Sequence, residues 1–452
     1  MKPTAQTTVL LTPEDVVRRG QCMGCGFCTI PLKPAQVAGQ MVFNAKLGHH
    51  VPRFTGPAPT DFVCPGSNMD MPQLAQLKHG ALPNDPMLGT VIKSRAVFAT
   101  NPEVRSRAAS GGVIPALLTH LFETGQIDCV YCVEPGTAPD TAAGTIIRKA
   151  KDLGRTHGSV YHPVNFGGRL EELIAGLERF AFVGLPCEVA ALEMLKQRLP
   201  ELAKRHVISL GLFCGGINTF PGVAYYLKGF GHDGEDVEQI SYRHGDWPGR
   251  IRVKLRSRAE PVEIPRIRGN SRWKILRYVI AFQGYWMLPR CRICPDQVSD
   301  FADVAVGDPH LPRFRARCGK GFSAVLTRSK RGEALVAAAI SAGLLGEEEL
   351  TRGEVIESQG YTLDNRRHAL VYARVARWLG ITPPKLNVYP TDQNGSSFRH
   401  WIYAWVDLGK IALPRHPVMQ LIYMPWQVFE YLFLTFAPQR VWRRLRNLLH
   451  NR

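Results

Sequence analysis

The chain has 452 residues, and its 45% hydrophobic and 21% charged residues are ordinary for a globular protein of two or three domains. Its formal net charge of +18 is not ordinary, and it indicates an acidic partner such as nucleic acid, an anionic membrane surface or an acidic redox protein. The polar N-terminal stretch predicts no secretory signal and hence a cytoplasmic protein, where reducing conditions exclude a disulfide framework for the eleven cysteines.

Residues 1–90 are rich in Pro and Gly and contain the motif Cys22-Met-Gly-Cys25-Gly-Phe-Cys28, followed later by Cys64-Pro65. Two residues between successive cysteines let three thiolates converge on one face of a cubane cluster, and the fourth ligand arrives from a distant loop. A structural zinc site and bystander thiols are the alternatives, but zinc sites use two CxxC pairs rather than such a triplet. We therefore predict a small ferredoxin-like domain, folded around a metal rather than an apolar core, that holds a [4Fe-4S] cluster through Cys22, Cys25, Cys28 and Cys64.

Residues 91–380 have the pattern of an α/β core. A helix is predicted over 112–124, where apolar residues recur at helical spacing. A strand at 180–183, a helix at 188–199 and a strand at 207–213 follow the order of α/β folds, in which functional loops lie at the carboxyl ends of the strands. Further strands are predicted at 129–133, 239–243, 250–255, 262–265 and 302–306, with another helix at 334–345.

The second group of cysteines is dispersed along this core. Cys187 and Cys214 each directly follow a predicted strand, so a parallel sheet would place them side by side at one edge. The motif Cys291-Arg-Ile-Cys294-Pro would add two ligands from one loop. On spacing alone, single buried or catalytic thiols stay an alternative to a second cluster. Two further cysteines lie in a predicted strand and are assigned to the core: Cys129 and Cys132.

Two segments follow the core. Residues 381–398 combine Pro, Gly, Ser and Asn and predict a linker. Residues 399–452 are basic and aromatic, and the apolar stripe around Trp442 with neighbouring arginines predicts a basic amphipathic helix. Such a helix can lie on an anionic membrane or pack against protein, and the sequence leaves both open. Pro425 and nearby polar residues argue against a membrane-spanning helix.

Several motifs of the core occur together in a characteristic order. They are Arg107-Ala-Ala-Ser-Gly-Gly-Val, Phe182-Val-Gly-Leu-Pro-Cys187, Leu210-Gly-Leu-Phe-Cys214-Gly-Gly, Gly245-Asp-Trp-Pro-Gly249, Cys291-Arg-Ile-Cys294-Pro-Asp and Ala302-Asp-Val-Ala-Val-Gly-Asp308. Over about residues 20–330 the chain thereby resembles the coenzyme F420 hydrogenase/dehydrogenase beta-subunit family. That family includes 7-hydroxymethyl chlorophyll a reductase and a ferredoxin-dependent divinyl chlorophyllide reductase.

This resemblance implies a flavoprotein with FAD and a [4Fe-4S] cluster at the positions of Cys187, Cys214, Cys291 and Cys294. It also implies that one segment contributes to flavin or substrate binding through Arg107, Ser110, Gly111 and Gly112. Gly158 and Ser159 would lie in a second loop close to the cofactor. Free amides at a helix N-terminus suit a phosphate or an anionic ring edge. A Ser-Gly-Gly sequence alone is more often a simple turn.

Three functions are compatible with these features. The first is a ferredoxin- or F420-linked iron–sulfur flavin oxidoreductase, in which an acidic, ferredoxin-like donor supplies electrons for a small or apolar organic substrate. The second is an electron-relay beta subunit of a larger redox complex. The third, a zinc-bearing nucleic-acid-binding protein, is disfavoured because no recognition module occurs, and no nucleic acid is expected as partner. Peripheral membrane contact through 399–452 and a homo-oligomer stay open, and no catalytic acid is predicted.

Overall fold

The structure, a computed structural model, describes residues 11–136, 141–156, 158–264, 282, 285–317, 321–389 and 398–412. In chain order, the strands are β1 (Gln40–Asn44), β2 (His49–Arg53), β3 (Asn68–Asp70), β4 (Lys93–Ala99), β5 (Cys129–Glu134), β6 (Ala143–Ile147), β7 (Phe180–Gly184), β8 (His206–Leu212), β9 (Val237–His244), β10 (Arg250–Leu255), β11 (Val262–Ile264), β12 (Val304–Gly307), β13 (Ser323–Thr327), β14 (Leu345–Glu349) and β15 (Lys385–Asn387).

The helices are α1 (Pro13–Arg18), α2 (Met71–His79), α3 (Pro102–Arg107), α4 (Val113–Glu123), α5 (Leu170–Ala175), α6 (Pro186–Lys196), α7 (Pro200–Arg205), α8 (Phe220–Lys228), α9 (Pro289–Arg292), α10 (Pro312–Arg315), α11 (Lys330–Ser341), α12 (Arg352–Ser358), α13 (Gly360–Arg367), α14 (Ala369–Trp378) and α15 (Phe398–Ala412). Short 3-10 turns add Phe27–Thr29, Ala150–Thr156 and Phe166–Arg169.

A sheet of eight strands forms the centre of the fold, in the order β14-β4-β13-β12-β8-β7-β5-β6. The middle strands β12, β8, β7 and β5 run parallel, and the strands outside them pair antiparallel. Alternate residues of β7 belong to two apolar clusters, Phe180 and Phe182 to one, Ala181 and Val183 to the other. Because successive side chains of a strand point to opposite faces, the sheet has an apolar core on both sides.

The elements predicted for the core are confirmed, with small shifts at their ends. The largest shift concerns the helix predicted at 334–345, which the structure places at Lys330–Ser341 as α11. Ser329 caps its first turn by accepting a hydrogen bond from Gly332 N. After α11, Gly343 has a φ of +72°, and Leu345 begins β14. The left-handed glycine thus ends the helix earlier than the apolar pattern indicates.

The first 90 residues contribute to the same core as the sheet. They contain the antiparallel hairpin β1–β2, and β3 pairs parallel with β15 through Asn68 and Lys385. Phe27 and Met69 are fully buried in the larger apolar cluster. The segment predicted to fold around a metal instead of an apolar core therefore has an apolar core as well, and the predicted linker 381–398 contains a paired strand.

The described part of the C-terminal extension is α15. Its residues Ala404 and Leu408 share an apolar cluster with α14 and with Ile293, which lies between Cys291 and Cys294. The amphipathic stripe predicted around Trp442 lies outside the described residues. Among the residues that the structure describes, no helix has the length and apolar character needed to cross a membrane.

Candidate functional site

The first thiol set lies in the loop between α1 and β1 and in the segment before β3. It consists of Cys22, Cys25, Cys28 and Cys64. Gly24 and Gly26 within the loop have φ angles of +82° and +79°, which other residues rarely adopt. A Cβ on Gly26 would come within 2.5 Å of Gly167 Cα, so the loop also lies tightly against the 3-10 turn Phe166–Arg169. These glycines allow the turns that direct neighbouring thiols inward.

Burial is the main cause that raises the pKa of every thiol in the first set, for Cys22 to about 12. For Cys22, Cys25 and Cys28 the second cause is the same neighbour, Cys64. The four thiols therefore lie close enough to interact electrostatically. Because thiols in this environment hold their protons, their ionised form requires a cation in their midst, which is the role of metal in a thiolate-ligated site.

The second thiol set gathers at the carboxyl edge of the central sheet. Cys187 follows β7 in the first turn of α6, and Cys214 follows β8. Parallel pairing aligns Gly184 of β7 with Gly211 of β8, so the two strand ends lie side by side, as the strand order predicts. Helix α9 and the residues after it add the remaining two thiols. One small pocket is lined by all four: Cys187, Cys214, Cys291 and Cys294.

The electrostatics of the second set resemble those of the first. Burial raises the pKa of Cys187, and Glu188, Cys294 and Cys214 raise it further. Burial also raises the pKa of Cys291 to about 11, although Ile217 N donates a hydrogen bond to its sulfur over 3.3 Å. Four converging thiols with a backbone N–H donor are the ligand chemistry of a [4Fe-4S] cluster.

Arg290 links the two thiol sets. It is 1% exposed, precedes Cys291 in α9, and its Nη2 donates to the carbonyl oxygen of Pro65, beside Cys64, over 2.9 Å. Burial raises the pKa of Cys64 and Cys294, and the Arg290 charge opposes that rise. Among the described residues its Nε and Nη1 have no hydrogen-bond partner. A buried guanidinium without an anion is strongly unfavourable, so these donors fit anionic clusters in the thiol sets.

The two thiol sets are also direct neighbours. Met23, from the first loop, lines the pocket of the second set. Cys25 is among the lesser causes that raise the pKa of Cys187. Glu188 is buried beside both sets and accepts a hydrogen bond from Leu185 N over 2.7 Å, while burial raises its pKa to about 7. The sets therefore form one continuous region around Met23 and Glu188.

A cavity of about 320 Å³ opens beside the second thiol set. Its lining shares Met23, Cys214 and Ile217 with the thiol pocket. Much of its wall is apolar, including the side of α4, and a few polar groups face it from other elements. This volume lies within the roughly 300–1,000 Å³ typical of ligand and cofactor sites, which also combine apolar walls with few polar groups.

Four of the predicted cofactor-binding residues line this cavity: Ser110, Gly112, Gly158 and Ser159. Gly112 precedes α4 with a φ of +77°, and no side chain caps the first turn of that helix. The N–H groups of this turn therefore lie uncapped beside the cavity wall, where an anionic group would be favoured. The Ser110 hydroxyl donates to the carbonyl oxygen of Phe322 over 2.5 Å, and a side-chain hydrogen bond of Ser110 helps to lower the pKa of Asp308 in the cavity wall.

The other two predicted residues do not belong to the cavity lining. Gly111 N donates to Ser323 Oγ over 3.0 Å, and a Cβ at Gly111 would come within 2.5 Å of Val97 O. Gly111 thus holds the start of α4 close to the sheet. The Arg107 side chain is 61% exposed and pairs with Glu103 over 3.0 Å. A direct role of Arg107 in cofactor binding stays a prediction, and its position gives that role no support.

A polar group not predicted from the sequence lies at the cavity wall. Arg243, at the end of β9, is 6% exposed and donates through Nη1 to Asp308 Oδ2 over 2.8 Å and to Tyr161 OH over 3.1 Å. Burial acts to raise the pKa of Asp308, but the adjacent Arg243 holds it well below its usual range. Arg243 lies directly before the His244-Gly245-Asp-Trp-Pro stretch, and this position was the signal available in the sequence.

Two histidines and the remaining cysteines have the following places. His162 is buried at the cavity wall, and its Nδ1 lies 2.8 Å from Tyr242 OH. Cys129 and Cys132 are buried in the two separate apolar clusters, which confirms their assignment to the core, and Cys132 also reaches the cavity. His157 and Cys318 lie outside the described residues.

The chain matches the two domains of one known sequence family. Residues 95–171 match the N-terminal part of the coenzyme F420 hydrogenase/dehydrogenase beta subunit, and residues 177–352 match its C-terminal part. These ranges contain the second thiol set and most of the cavity lining. The first thiol set and α15 lie outside both ranges.

Individual relatives carry related names. The chain is 22% identical over 327 residues to a subunit of the F(420)H(2) dehydrogenase of Methanosarcina mazei, a match covering 71% of this chain and 82% of the relative. It is 22% identical over 265 residues to coenzyme F420 hydrogenase subunit beta of Methanosarcina barkeri, covering 58% and 82% respectively. A match to the coenzyme F420-dependent sulfite reductase of Methanocaldococcus jannaschii, 25% identical, covers 49% of this chain but only 33% of that protein.

A solved structure supports the fold. A chain of the F420-reducing [NiFe] hydrogenase complex from Methanosarcina barkeri superposes with a TM-score of 0.52 at 17% sequence identity. The superposition covers 67% of this chain and 98% of that one. The two chains therefore share the core architecture, and the remainder of this chain has no counterpart in that protein's chain.

Proposed function

Because the chain belongs to the coenzyme F420 hydrogenase/dehydrogenase beta-subunit family, we propose that it is an electron-relay flavoprotein subunit of a larger redox complex. It would hold [4Fe-4S] clusters in the first and second thiol sets and FAD in the cavity. Relatives such as the F(420)H(2) dehydrogenase subunit of Methanosarcina mazei and coenzyme F420 hydrogenase subunit beta bear the names of oxidoreductase subunits, which favours a subunit over a self-sufficient enzyme.

One observation carries this proposal: the cavity and the second thiol pocket share a wall. Cys214, Gly216 and Ile217 belong to both linings, so a ring system in the cavity would lie against ligands of the second cluster. Met23 extends the contact to the first thiol set. With clusters and a flavin bound, the order first set, second set, cavity would supply a continuous path for electrons.

A bound flavin would exchange single electrons with the clusters and two electrons with an organic partner. The chain's own residues would position it. The uncapped turn at Gly112 suits an anionic part of the cofactor, while the buried Arg243–Asp308 pair supplies a fixed cation and a fixed acceptor at the polar wall. Glu188, whose burial raises its pKa to about 7, lies where it can exchange a proton near neutral pH.

The partner of such a relay would be acidic. The net charge of +18 favours association with an acidic redox protein, whether another subunit or a ferredoxin-like donor. We expect the rate of electron delivery by an acidic donor to fall steeply as salt is added, because screening weakens steering between opposite charges. A rate independent of ionic strength would argue against electrostatic docking of the donor.

A second candidate is an enzyme that reduces its own apolar substrate. The apolar side of the cavity, with Ile114, Pro115 and Leu118 from α4, favours it, because an aliphatic wall next to a flavin suits an apolar ring. The purified chain discriminates between the two functions. Flavin reduction without turnover of added substrates supports the relay, and turnover by the isolated chain supports the enzyme.

The decisive experiment is an anaerobic preparation in which iron, sulfide and flavin are measured per chain. Two clusters and FAD require about eight iron atoms and one flavin. Gly215→Leu offers a specific test, because Gly215 lines the cavity and a Cβ there meets no atom within 4 Å. The new side chain would occupy the cavity, so flavin should be lost while iron is retained.

A matched control is Gly154→Leu. Gly154 is exposed, also has no atom within 4 Å of a built Cβ, and is not among the residues lining the cavity. We expect this variant to keep both flavin and iron. Retention of full flavin by Gly215→Leu would refute the assignment of the cavity, and zinc in place of iron in the parent chain would refute the clusters.

A further inference from the structure

Three side chains with metal-binding groups meet where the end of α13 lies against the start of α15. They are Asp364, His368 and His400. One potential ligand atom from each lies within 4.8 Å of the other two. The distance from His368 Nε2 to Asp364 Oδ1 is 3.7 Å, and that from His400 Nε2 to the same oxygen is 4.0 Å. Two imidazoles and one carboxylate thus converge from two separate elements.

The histidine rings face each other closely. Their centroids are 3.6 Å apart, with an angle of 25° between the ring planes. Two imidazolium ions at this distance would repel each other strongly, so this arrangement requires at least one neutral ring. Neutral imidazole is also the form that binds metal ions. Because an imidazole nitrogen binds a metal in its own ring plane, the two rings would turn out of this stack to share one cation with the Asp364 carboxylate.

The burial of the cluster leaves one side open. His368 is 7% and His400 20% exposed in their side chains, whereas Asp364 is 49% exposed. Asp364 and His368 are four residues apart across the last turn of α13, so both lie on one side of it. Ligands of a tetrahedral ion bound at about 2.0–2.1 Å are roughly 3.3 Å apart, close to the observed separations. Water can fill a fourth position on the Asp364 side.

We propose that Asp364, His368 and His400 bind a zinc-class divalent ion that ties α15 to α13. Two nitrogen donors and one carboxylate oxygen suit zinc and its borderline neighbours, whereas calcium and magnesium prefer oxygen ligands alone and iron–sulfur clusters prefer thiolates. This site lies outside the matched family ranges and is independent of the proposed flavin and clusters.

The position of α15 gives the ion a structural effect. Further along the helix, Ala404 and Leu408 pack with Ile293, and Asp407 lies 3.6 Å from Arg292 Nη1. Both contacts reach the loop that carries Cys291 and Cys294. The ion would therefore fix the first turn of α15. The later turns of this helix pack against the segment that carries Cys291 and Cys294.

The test uses the anaerobically purified full-length chain with its native metal content. Zinc and iron are measured together, and X-ray absorption at the zinc edge distinguishes nitrogen and oxygen ligands from sulfur. We expect one zinc per chain with nitrogen and oxygen ligands. His368→Ala and His400→Ala should each weaken zinc binding by at least about tenfold while leaving iron unchanged. His232→Ala, a histidine outside the cluster, should keep its zinc.

Three results would overturn the proposal: a chain that neither contains zinc nor takes it up on titration, zinc held by sulfur, or zinc retained equally by both histidine variants. If a histidine variant does not fold, Asp364→Asn serves instead, because Asp364 is half exposed and the amide keeps its shape. That variant should bind zinc more weakly than the parent chain, and equal affinity would count against the site.

Discussion

The first thiol set comes from one short loop and one cysteine that follows it, whereas the second is collected from the ends of two strands and from a separate helix. In the first set, Gly24 and Gly26 shape the loop locally. In the second, the register between β7 and β8 determines the geometry, and α15 packs behind the loop of α9. Local spacing can therefore define one thiol set, while the other depends on the whole sheet and on a distant helix.

The largest expected effect comes from removing a ligand of either set. Cys25→Ser and Cys294→Ser should each remove about half of the iron, since each set would lose its own four-iron cluster. Iron and sulfide analysis with low-temperature spectra of both variants would measure this. Cys129→Ala, a buried cysteine of the core, is the matched control and should retain all iron. Full iron in Cys294→Ser would mean that the second set holds no cluster.

A smaller effect tests the support of the second set by α15. Asp407 accepts a hydrogen bond from Tyr372 OH over 3.0 Å and lies 3.6 Å from the buried Arg292. Asp407→Ala should lower the free energy of unfolding by about 1–3 kcal/mol, because buried donors lose their acceptor. Iron release to a chelator should then accelerate from the second set and not from the first. Equal acceleration from both sets would contradict a local support, and Asp407→Asn should have an intermediate effect.

Charge removal tests whether one arginine acts on both thiol sets. Arg290 opposes the rise in pKa of Cys64 and of Cys294, so its positive charge acts on both sets. Arg290→Gln should make both cluster potentials more negative by roughly 60 mV, one tenfold change for a one-electron couple, because a nearby cation favours the reduced, more negative cluster. Redox titrations followed by spectroscopy would measure these shifts, and an unchanged first potential would show that the arginine serves one set only.

The neighbouring arginine provides the contrast to Arg290. Arg292 opposes the rise in pKa of Cys291 and lies beside Asp407, which balances its charge. Arg292→Gln should therefore shift the potential of the second cluster alone, and by less than Arg290→Gln does. The same redox titration measures both variants, and a shift of the first potential in Arg292→Gln would contradict this assignment.

The smallest effect is expected at Arg107. Its exposed pair with Glu103 should contribute less than about 1 kcal/mol, and Arg107 does not line the cavity. Arg107→Ala should therefore leave flavin content, iron content and unfolding close to those of the parent chain. A marked loss of flavin in this variant would show that the segment rearranges on cofactor binding.

The sequence predicts those features that depend on local order. The spacing of Cys22, Cys25 and Cys28 and the placement of Cys187 and Cys214 after strands are visible without a structure. The environments of the buried arginines in α9 and β9 are not visible, because their partners are far away in the chain. For the same reason the predicted linker 381–398 gave no sign of β15, whose partner β3 lies at the other end of the chain. Local patterns report turns and periodicity, but they do not report which distant segments meet.

The pairing of β3 with β15 has a consequence for biosynthesis. In the part of the chain that the structure describes, β15 is the only neighbour of β3 in its sheet, and Asn387 donates to Asp70 across 317 positions of sequence. During translation, the segment beside Cys64 emerges long before its partner strand does. A nascent chain on the ribosome therefore keeps this strand edge without its partner until residues 385–387 have been synthesised. If the first thiol set holds iron, its stable insertion near Cys64 is accordingly expected only on a chain that already includes residue 387.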